Sequence, residues 1–543
     1  SRTIYHMPFK CIFLTGGVVS SLGKGLTAAS LALILERQRL NVAMLKLDPY
    51  LNVDPGTMNP FEHGEIYVTD DGVETDLDLG HYHRFSSAAL SRHSSATSGQ
   101  IYARVIKRER EGDYLGSTVQ VIPHITNEII QVILDAAKEH SPDVLIVEIG
   151  GTIGDIESLP FLEAIRQFRY DHSEDCLNIH MTYVPYLQAA DEVKSKPTQH
   201  SVQTLRGIGI IPDAILCRSE KPLTQEVKSK ISLFCNVPNR AVFNVIDVKH
   251  TIYEMPLMLA QEKIANFIGE KLKLATVPEN LDDWKVLVNQ LSQDLPKVKI
   301  GVVGKYVQHR DAYKSIFEAL THAALRLGHA AEIIPIDAED ENLTMELSQC
   351  DACLVPGGFG VRGWEGKIAA AKFCREQGIP YFGICLGMQV LVVEYARNVL
   401  NLDQANSLEM DPNTPHPIVY VMEGQDPLVA TGGTMRLGAY PCLLKPGSKA
   451  HKAYNESSLI QERHRHRYEV NPDYIQSLED HGLRIVGTCP PQGLCEIIEV
   501  SDHPWMIGVQ FHPEFVSKLI SPHPLFIAFI EAALVYSKDA SHV

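Results

Sequence analysis

Hydrophobic residues in this chain come in short uninterrupted runs that are separated by longer amphipathic stretches. In the first half the runs are KCIFLTGG, LNVAMLKLD, PDVLIVEIGG, NIHMTYVP and DAILCRSE. Short apolar runs bounded by turn residues are typical of buried strands, and the stretches between them have helical periodicity. Strands that are apolar on both faces belong to parallel sheets covered by helices. The first half is therefore predicted to be a doubly wound α/β domain.

The same pattern begins again at KVKIGVVGKY and continues through DACLVPGG, IPYFGICLG, GLRIVGTC, GLCEIIEV and MIGVQFHPE. Between the two halves lies VPENLDDWKVLVNQLSQDLP, which is polar, flanked by proline and without a strand signal. We therefore predict an α/β fold class with two doubly wound, mainly parallel-sheet domains, at residues 7–274 and 297–543, joined by a linker at 275–296. Residues 1–6 precede Met7 and are left out of the fold prediction.

Composition and charge narrow the range of partners. The formal net charge of −17 argues against nucleic acid, because phosphate backbones need a basic footprint, but it leaves room for a small anion in a local basic pocket. No apolar run approaches the ~20 residues of a membrane span. Eleven scattered cysteines favour reduced thiols and a cytoplasmic location. Cys350 and Cys353 form a CxxC, but no second pair follows at the spacing of a zinc site.

One cysteine has the surroundings of a catalytic nucleophile. Cys385 lies between Gly383 and Gly387, at the junction of an apolar run and a helical pattern, which is the arrangement of a nucleophile elbow. His512 and Glu514 are two residues apart, so an extended backbone would direct both to one side, as a base and the acid that orients it. A lone cysteine is more often a buried structural residue, but the two glycines and the H-P-E sequence favour catalysis.

A glycine-rich loop in the first half predicts a phosphate site. Residues 16–25 read GGVVSSLGKG between a predicted strand and a predicted helix, and Lys24 is placed to reach phosphate oxygens. Gly25 occupies the place of the usual Ser or Thr that helps to hold Mg²⁺. Asp78 and Glu148 are the best substitutes, since Mg²⁺ prefers carboxylate and phosphate oxygens. A simple glycine turn is the alternative for the loop, and a solvated acidic loop is about as probable for Asp78.

Two further segments, GGTIGDIES at 150–158 and VKSKPTQHS at 193–201, suggest a second phosphorylated ligand. Their carboxylates could accept from ribose hydroxyls or an exocyclic amine, and their lysines could bind phosphate. Each segment alone is more often a surface loop. The candidate residues are Asp155, Glu157, Lys194, Lys196 and Gln199, with Lys230 as an additional cation.

Taken together, ten motifs resemble those of the CTP synthase family. They are GGVVSSLGKG, KLDPYLNVDPGTMNPFEHGE, TDLDLGH, GDYLGSTVQVIPHIT, VEIGGTIGDIES, KSKPTQHS, PGGFGVRG, GICLGMQ, ERHRHRYEVN and QFHPE. They follow the family's order and cover nearly the whole chain. The N-terminal set is highly specific, whereas the C-terminal set alone indicates only a class I glutamine amidotransferase. The resemblance implies a P-loop NTPase-like synthetase domain and a class I glutaminase domain.

The resemblance also implies a ligase of pyrimidine nucleotide biosynthesis. ATP would phosphorylate the 4-oxygen of UTP, and ammonia cut from glutamine at Cys385 would travel through an internal channel and displace that phosphate to give CTP. The family further implies Mg²⁺, ATP as co-substrate, GTP as allosteric activator, CTP as feedback inhibitor and a homotetramer. These properties come from the resemblance alone.

By the same resemblance, each ligand has a set of candidate residues. For ATP they are Ser21, Leu22, Gly23, Lys24, Gly25, Leu26, Lys46, Asp78 and Val248, and for Mg²⁺ they are Asp78 and Glu148. For UTP or CTP they are Ser20, Asp155, Ile156, Glu157, Lys194, Ser195, Lys196, Pro197, Thr198, Gln199 and Lys230. For glutamine they are Gly358, Leu386, Gly387, Met388, Gln389, Glu409 and Arg467, with Gly358 and Leu386 offering oxyanion N–H groups.

Two hypotheses go beyond these sets. The loop GFGVRGWEGK, with Arg362 and Trp364, is our hypothesis for a lid that responds to GTP. The run ERHRHRYEV is expected to be an exposed charged strand or loop, because no carboxylate or thiol stands at ligand spacing from His464 and His466.

Two other functions remain open at this point. One is a different P-loop glutamine amidotransferase that amidates a cofactor precursor, from which VKSKPTQHS and GGTIGDIES distinguish the UTP-dependent enzyme. The other is a non-catalytic, filament-forming homologue with decayed sites. The intact candidates Lys24, Asp78, Cys385, His512 and Glu514 argue against decay.

Overall fold

The computed structural model describes residues 7–19, 22–305, 307–421 and 435–541. Internal contacts group the chain into two compact units. The first unit contains residues up to 53 together with 78–292, and the second contains 54–77 together with residues from 293 onward. The segment 54–77 thus groups with the second unit, although the boundaries drawn from the sequence include it in the first domain.

The first unit is built on a seven-stranded sheet in which every neighbouring pair is parallel. In spatial order the strands are Val242–Ile246, Ala214–Ser219, Cys176–Tyr183, Lys10–Gly16, Val144–Ile149, Val42–Asp48 and Ser95–Thr97. The five central strands are the apolar runs that the sequence predicts. The two edge strands were not predicted, because short edge strands lack a continuous apolar run.

Helices cover the sheet of the first unit, and a hairpin of Tyr186–Leu187 and Glu192–Val193 forms a separate two-stranded sheet. The helices are Lys24–Arg37, Asp78–Phe85, Ser98–Arg110, Thr126–His140, Leu159–Asp171, Lys196–Ile208, Gln225–Cys235, Met255–Gln261, Ile264–Leu272 and Asp282–Leu291. The last of these lies inside the predicted linker. It packs into the first unit because Trp284 is fully buried and its indole N–H donates to the Tyr253 carbonyl at 2.8 Å.

The second unit has a nine-stranded mixed sheet. In spatial order its strands are Ala330–Asp337, Lys297–Gly304, Ala352–Val355, Tyr381–Ile384, Met506–Val509, Leu494–Val500, Leu483–Cys489, Arg436–Leu444 and Leu459–His466. The first five are parallel, and from Met506–Val509 onward each neighbouring pair is antiparallel. The six strands predicted in this half are all present.

Helices and smaller sheets complete the second unit. The helices are Pro60–His63, Lys314–Arg326, Leu343–Ser348, Trp364–Gln377, Leu386–Asn398, Lys449–Ala453, Pro472–Asp480 and Pro524–Ala540. The smaller sheets are a hairpin of Tyr67–Val68 and Glu74–Thr75 and a three-stranded sheet of Ala405–Ser407, His416–Val421 and Tyr468–Val470. Apolar clusters line both faces of the main sheet. Among the described residues, no helix is both long and apolar enough to cross a membrane.

The prediction that ERHRHRYEV is exposed is wrong. His464 and His466 are buried in the strand Leu459–His466. The arginines that alternate with them are covered by the segment 54–77: Arg463 pairs with Asp70 at 2.5 Å, and Arg465 pairs with Glu74 at 2.8 Å. Both faces of this charged strand are therefore covered. The sequence pattern does not indicate this, because the ion-pair partners of the arginines come from a distant part of the chain.

Candidate active sites

Cys385 lies on a sharp turn between the strand Tyr381–Ile384 and the helix Leu386–Asn398, with a positive φ of 53°. A Cβ atom at Gly383 would overlap the Gly387 carbonyl, and a Cβ at Gly387 would overlap the Val355 carbonyl. Both positions therefore require glycine, since the backbones approach too closely for a side chain. The turn has the geometry of a nucleophile elbow.

His512 and Glu514 lie next to the thiol of Cys385. Nδ1 of His512 lies 2.7 Å from Oε1 of Glu514, and the ring hydrogen-bonds Cys385 as well. Burial lowers the pKa of His512, but the charges of Glu514 and Cys385 outweigh burial and raise it to about 10. A protonated imidazole beside sulfur stabilises a thiolate, so the arrangement suits nucleophilic attack.

The thiol opens into a cavity of about 200 Å³ within the second unit. One wall is formed by Gly56, Met58 and Glu65 of the segment 54–77. Arg465 holds this wall, because its guanidinium donates to Glu74 and, at 3.2 Å, to the Gly56 carbonyl. No sequence pattern predicts this wall, since more than 300 residues separate it from Cys385 along the chain.

Glu409 and Arg467 also belong to this unit, together with two lysines that sequence reasoning missed. Oε1 of Glu409 accepts from the Gly360 N–H at 2.8 Å. Burial raises the pKa of Glu409, and the Lys305, Lys367 and Arg467 charges oppose that effect. Burial lowers the pKa of Lys367 to about 8. Nη2 of Arg467 is buried and has no hydrogen-bond partner among the described residues, so it can donate to an anionic ligand.

The remaining glutamine candidates lie around the elbow. Leu386, Gly387, Met388 and Gln389 form the first turn of the helix after Cys385, and Gly358 follows the strand Ala352–Val355. The amide of Gln389 is buried and donates to the Tyr468 carbonyl at 3.1 Å. Gln510, which sequence reasoning missed, directs its amide to Sγ of Cys385 at 3.7 Å.

The lid hypothesis for the loop GFGVRGWEGK stays a prediction, but the structure places Trp364 in the core. Trp364 is 2% exposed, begins the helix Trp364–Gln377 and donates its indole N–H to Asn406 at 2.9 Å. A fully packed and hydrogen-bonded indole belongs to the core. Arg362 is exposed and pairs with Glu339 at 3.2 Å.

In the first unit, the structure brings together two lysines and two carboxylates from separate elements. Nζ of Lys46 hydrogen-bonds Asp78 and, at 3.2 Å, Glu148. Lys24, the first residue of the helix Lys24–Arg37, donates to the Gly151 carbonyl. Burial lowers the pKa of Lys24 to about 8, although Glu148 opposes this effect. Burial raises the pKa of Asp78, but Lys46 and neighbouring cations overcome burial and leave it lowered.

The structure explains the glycine that replaces Ser or Thr in the phosphate loop. A Cβ at Gly25 would overlap Oδ1 of Asp78, so the carboxylate occupies the space of the missing side chain. Glu148 is buried at the end of the strand Val144–Ile149 and meets the same Lys46 ammonium. Two carboxylates that converge on one cationic group are hard oxygen donors of the kind Mg²⁺ prefers, so the residues fit that ion.

The candidates for a second phosphorylated ligand lie in three parts of the first unit. They are the turn at 155–157, the loop and helix start at 194–199, and, for Lys230, the helix Gln225–Cys235. Glu192 contacts Lys194 at 2.6 Å and is also under the influence of Lys230, and these cations lower its pKa. Thr198 donates to Thr182 at 3.1 Å.

The other nucleotide candidates have the following surroundings. The Gln199 amide donates to Ser195 at 3.1 Å, and Lys196 and Pro197 begin the helix Lys196–Ile208. Asp155 accepts from the Thr152 N–H at 2.9 Å, and Ile156 and Glu157 are exposed beside it. Leu22, Gly23 and Leu26 flank Lys24, and Val248 is half-buried beyond the strand Val242–Ile246. Ser20 and Ser21 lie outside the described residues.

A possible metal group that the sequence did not reveal is His464, His466 and Glu496, whose ligand atoms lie within 4.8 Å of one another. Glu496 comes from another strand and is already paired with Arg436 at 2.5 Å. The two histidine rings hydrogen-bond each other at 2.9 Å. A guanidinium on the carboxylate opposes a metal cation, so the group is better described as a hydrogen-bonded core.

Comparisons with known proteins cover both units. A family model described as CTP synthase N-terminus matches residues 10–274, and one described as glutamine amidotransferase class-I matches residues 308–532. The CTP synthase of Chlamydia caviae is 76% identical over 538 residues, covering 99% of this chain and 100% of that protein. That of Chlamydia trachomatis serovar L2 is 68% identical over 537 residues, covering 99% of each.

Among solved structures, the glutaminase domain of Trypanosoma brucei CTPS with bound acivicin is 38% identical. It covers 44% of this chain and 94% of its own, with a TM-score of 0.42. The full-length relatives match along nearly the entire sequence, so their likeness extends over both candidate sites.

Proposed function

The chain belongs to the CTP synthase family, and on that premise we propose that it aminates UTP to CTP with ATP and with ammonia released from glutamine. The observation that carries the proposal is the presence, in one chain, of two sites. One is the buried thiol–imidazole–carboxylate set around Cys385. The other is the phosphate loop, where Asp78 fills the space beside Gly25. A nucleophilic thiol supplies ammonia, and a phosphate site activates the acceptor.

In the glutaminase reaction, Sγ of Cys385 attacks the carboxamide carbon of glutamine. The N–H groups of Gly358 and Leu386 stabilise the developing oxyanion. The imidazolium of His512, oriented by Glu514, donates its proton to the leaving ammonia, and water then hydrolyses the thioester.

Recognition of glutamine is assigned to charged groups in the same unit. Glu409 binds the α-ammonium group, and the unpartnered Nη2 of Arg467 binds the α-carboxylate. Leu386, Gly387, Met388 and Gln389 form the surrounding turn.

In the synthetase reaction, Lys24 and Lys46 bind ATP phosphates, with Ser21 to Leu26 forming the cradle and Val248 at its side. Asp78 and Glu148 hold Mg²⁺, which supplies charge neutralisation for phosphoryl transfer when bound. The γ-phosphoryl group passes to the 4-oxygen of UTP, since a carbonyl oxygen is a poor leaving group until phosphorylated. Ammonia reaches this 4-phosphorylated UTP through an internal channel, displaces the phosphate and leaves CTP.

The residues proposed to bind UTP, or CTP as feedback inhibitor, are Ser20, Asp155, Ile156, Glu157, Lys194, Ser195, Lys196, Pro197, Thr198, Gln199 and Lys230. The convergence of Lys194 and Lys230 on Glu192 supports a local cationic site in an otherwise acidic chain.

The proposal extends to regulation and assembly. GTP is proposed as an allosteric activator and the cytoplasm as the location. A homotetramer is proposed from the family, and apolar side chains exposed on the first unit, with Leu115 at 93% and Ile122 at 52%, are available for an interface. The matched ranges 10–274 and 308–532 support the domain limits 7–274 and 297–543.

The deciding experiment supplies UTP, ATP and Mg²⁺ with either ammonium or glutamine and follows CTP by its absorbance. We expect CTP from both nitrogen sources. CTP from neither source would refute the proposal, and amidation of a carboxylated cofactor precursor in place of UTP would assign the chain to a different amidotransferase reaction.

A further inference from the structure

A buried chain of hydrogen bonds crosses the first unit beside the phosphate loop. Oγ1 of Thr15 lies 2.8 Å from Nδ1 of His180, and Nε2 of His180 lies 2.6 Å from Oγ of Ser201. Nδ2 of Asn178 donates to Oγ1 of Thr15 at 3.2 Å. All four side chains are at least nine-tenths buried, and the proposed reaction uses none of them.

We call this chain of hydrogen bonds the His180 relay. Its residues come from segments that contact different substrates in the proposed function. Thr15 lies on the strand Lys10–Gly16, which leads into the phosphate loop. Ser201 lies on the helix Lys196–Ile208, whose first turn contains proposed UTP contacts. His180 lies on the strand Cys176–Tyr183 between them. The ring therefore links the two nucleotide-binding segments directly.

The packing at Gly17 shows how tightly these segments are joined. A Cβ at Gly17 would overlap Oγ of Ser201 and would come within 2.7 Å of the Ile153 side chain. The backbone N–H of Gly17 donates to the Met181 carbonyl at 3.0 Å. Because the loop backbone rests against the Ser201 hydroxyl, a shift of Ser201 would move the phosphate loop.

The His180 ring stays neutral. Burial and the nearby Lys24 charge lower its pKa to about 3. In either neutral tautomer one ring nitrogen donates and the other accepts, and the hydroxyls of Thr15 and Ser201 can take the complementary roles. The relay is therefore the same at any pH at which the enzyme works.

We propose that His180 is a positioning residue that fixes the phosphate loop and the helix Lys196–Ile208 in one register, so that ATP and UTP are aligned for phosphoryl transfer. This inference rests on the proposed function. A phenyl ring would fill the same space, whereas hydrogen bonds at both nitrogens of His180 hold Thr15 and Ser201 in fixed positions. Misalignment of reacting groups by an ångström can cost about a hundredfold in rate.

Three substitutions of His180 separate the two ends of the relay. His180→Asn presents a polar atom near the position of Nδ1 and keeps the Thr15 contact, whereas His180→Gln presents one near Nε2 and keeps the Ser201 contact. His180→Phe keeps the ring and loses both. The readouts are the calorimetric Kd for a non-hydrolysable ATP analogue and for UTP, and the KM values in ammonia-dependent CTP synthesis.

We expect His180→Phe to weaken binding of both nucleotides by about tenfold, the effect of one buried polar group left unpaired. His180→Asn should weaken mainly UTP, and His180→Gln mainly the ATP analogue. Thr15→Val and Ser201→Ala should each weaken binding in the wild-type background and have little further effect in His180→Phe, because the relay acts as one unit.

The matched control is Ser30→Ala. Ser30 is fully buried in the helix Lys24–Arg37, and its hydroxyl has no hydrogen-bond partner among the described residues. This variant should leave both Kd values within about twofold of wild type. Glutamine hydrolysis at Cys385 without nucleotide checks that each variant is folded.

Nucleotide affinities in His180→Phe equal to those of Ser30→Ala would overturn the proposal. So would equal losses for both nucleotides in the Asn and Gln variants accompanied by equal falls in melting temperature, since a purely structural role predicts that result. A wild-type chain that binds both nucleotides but forms no CTP would refute the proposed function alone, because the relay is still tested by the binding measurements.

Discussion

The two candidate sites are assembled in different ways. Around Cys385, the reactive groups come from two short stretches, and backbone packing at Gly383 and Gly387 sets the thiol. Around Lys24, four charged side chains come from four separate elements and meet through ion pairs. The first arrangement depends on backbone shape, and the second depends on balanced charge.

The two sites also differ in how burial and neighbouring charges set the pKa of a buried cation. His512 retains its proton because Glu514 and Cys385 outweigh burial, so its pKa rises to about 10. At Lys24, burial outweighs the opposing charges of Glu148 and Asp78 and lowers the pKa to about 8. Neighbouring negative charges thus more than offset burial at His512 and only partly offset it at Lys24.

The largest expected effect separates the sites completely. Cys385→Ala should reduce glutamine-dependent CTP formation by about ten-thousand-fold, because no other nucleophile remains. Ammonia-dependent formation should stay near the wild-type rate, since the synthetase residues are unchanged. Parallel assays with the two nitrogen sources measure this. Persistent glutamine hydrolysis in the variant would refute the assignment of the thiol.

The next effect concerns the charge-balanced site. Gly25→Ala introduces a methyl group that overlaps Oδ1 of Asp78, so ammonia-dependent synthesis should fall about a hundredfold and need more Mg²⁺. Gly207→Ala is the matched control, because nothing lies within 4 Å of its Cβ position and it also lies in a helix. Equal Mg²⁺ titration curves for both variants would contradict the role given to Asp78.

A smaller effect is expected when the partner of His512 is removed. Glu514→Gln should slow glutamine hydrolysis by about tenfold, because the thiol and imidazole remain while the ring loses its orientation. Ammonia-dependent synthesis serves as the internal control. An unchanged hydrolysis rate would show that Glu514 does not orient the base.

The same variant tests the charge of His512 by its effect on stability. The folded-state pKa of about 10 lies above the ordinary value of 6.5, so the folded chain binds an extra proton between these values. The resulting stabilisation is complete below about pH 6.5 and is lost as pH rises to about 10. The melting temperature of Glu514→Gln should therefore fall less than that of wild type between about pH 7 and pH 9.5. An identical fall would contradict the raised pKa.

The smallest effect concerns the cavity wall contributed by the segment 54–77. Glu74→Gln removes the buried charge that pairs with half-buried Arg465 and should raise the KM for glutamine about threefold. Glu365→Gln is the control, since Glu365 is 69% exposed in its pair with Arg397 and such pairs contribute little. Equal KM values in both variants would separate this wall from glutamine binding.

The sequence alone was sufficient for most of the fold. Eleven strands were predicted from apolar runs, and all are present because a strand in the middle of a sheet that is covered on both faces needs such a run, whether its neighbours are parallel or antiparallel. The strand Leu459–His466 was misjudged, because its arginines are buried by pairing with Asp70 and Glu74. The glycine-rich surroundings of Trp364 do not indicate that it is buried, because its ring is packed in the core by residues distant in sequence.

What the sequence by itself determined is the chemistry of each site: a thiol between two glycines, an H-P-E pair, and a phosphate loop that lacks its Ser or Thr. What only the tertiary structure decided is which distant groups complete those sites. Asp78 fills the space beside Gly25, the segment 54–77 forms one wall of the cavity at Cys385, and His180 links the strand Lys10–Gly16 to the helix Lys196–Ile208. The physical reason is that local motifs are fixed by backbone geometry and neighbouring residues. Ion pairs and buried hydrogen bonds instead depend on through-space distances that no sequence spacing encodes.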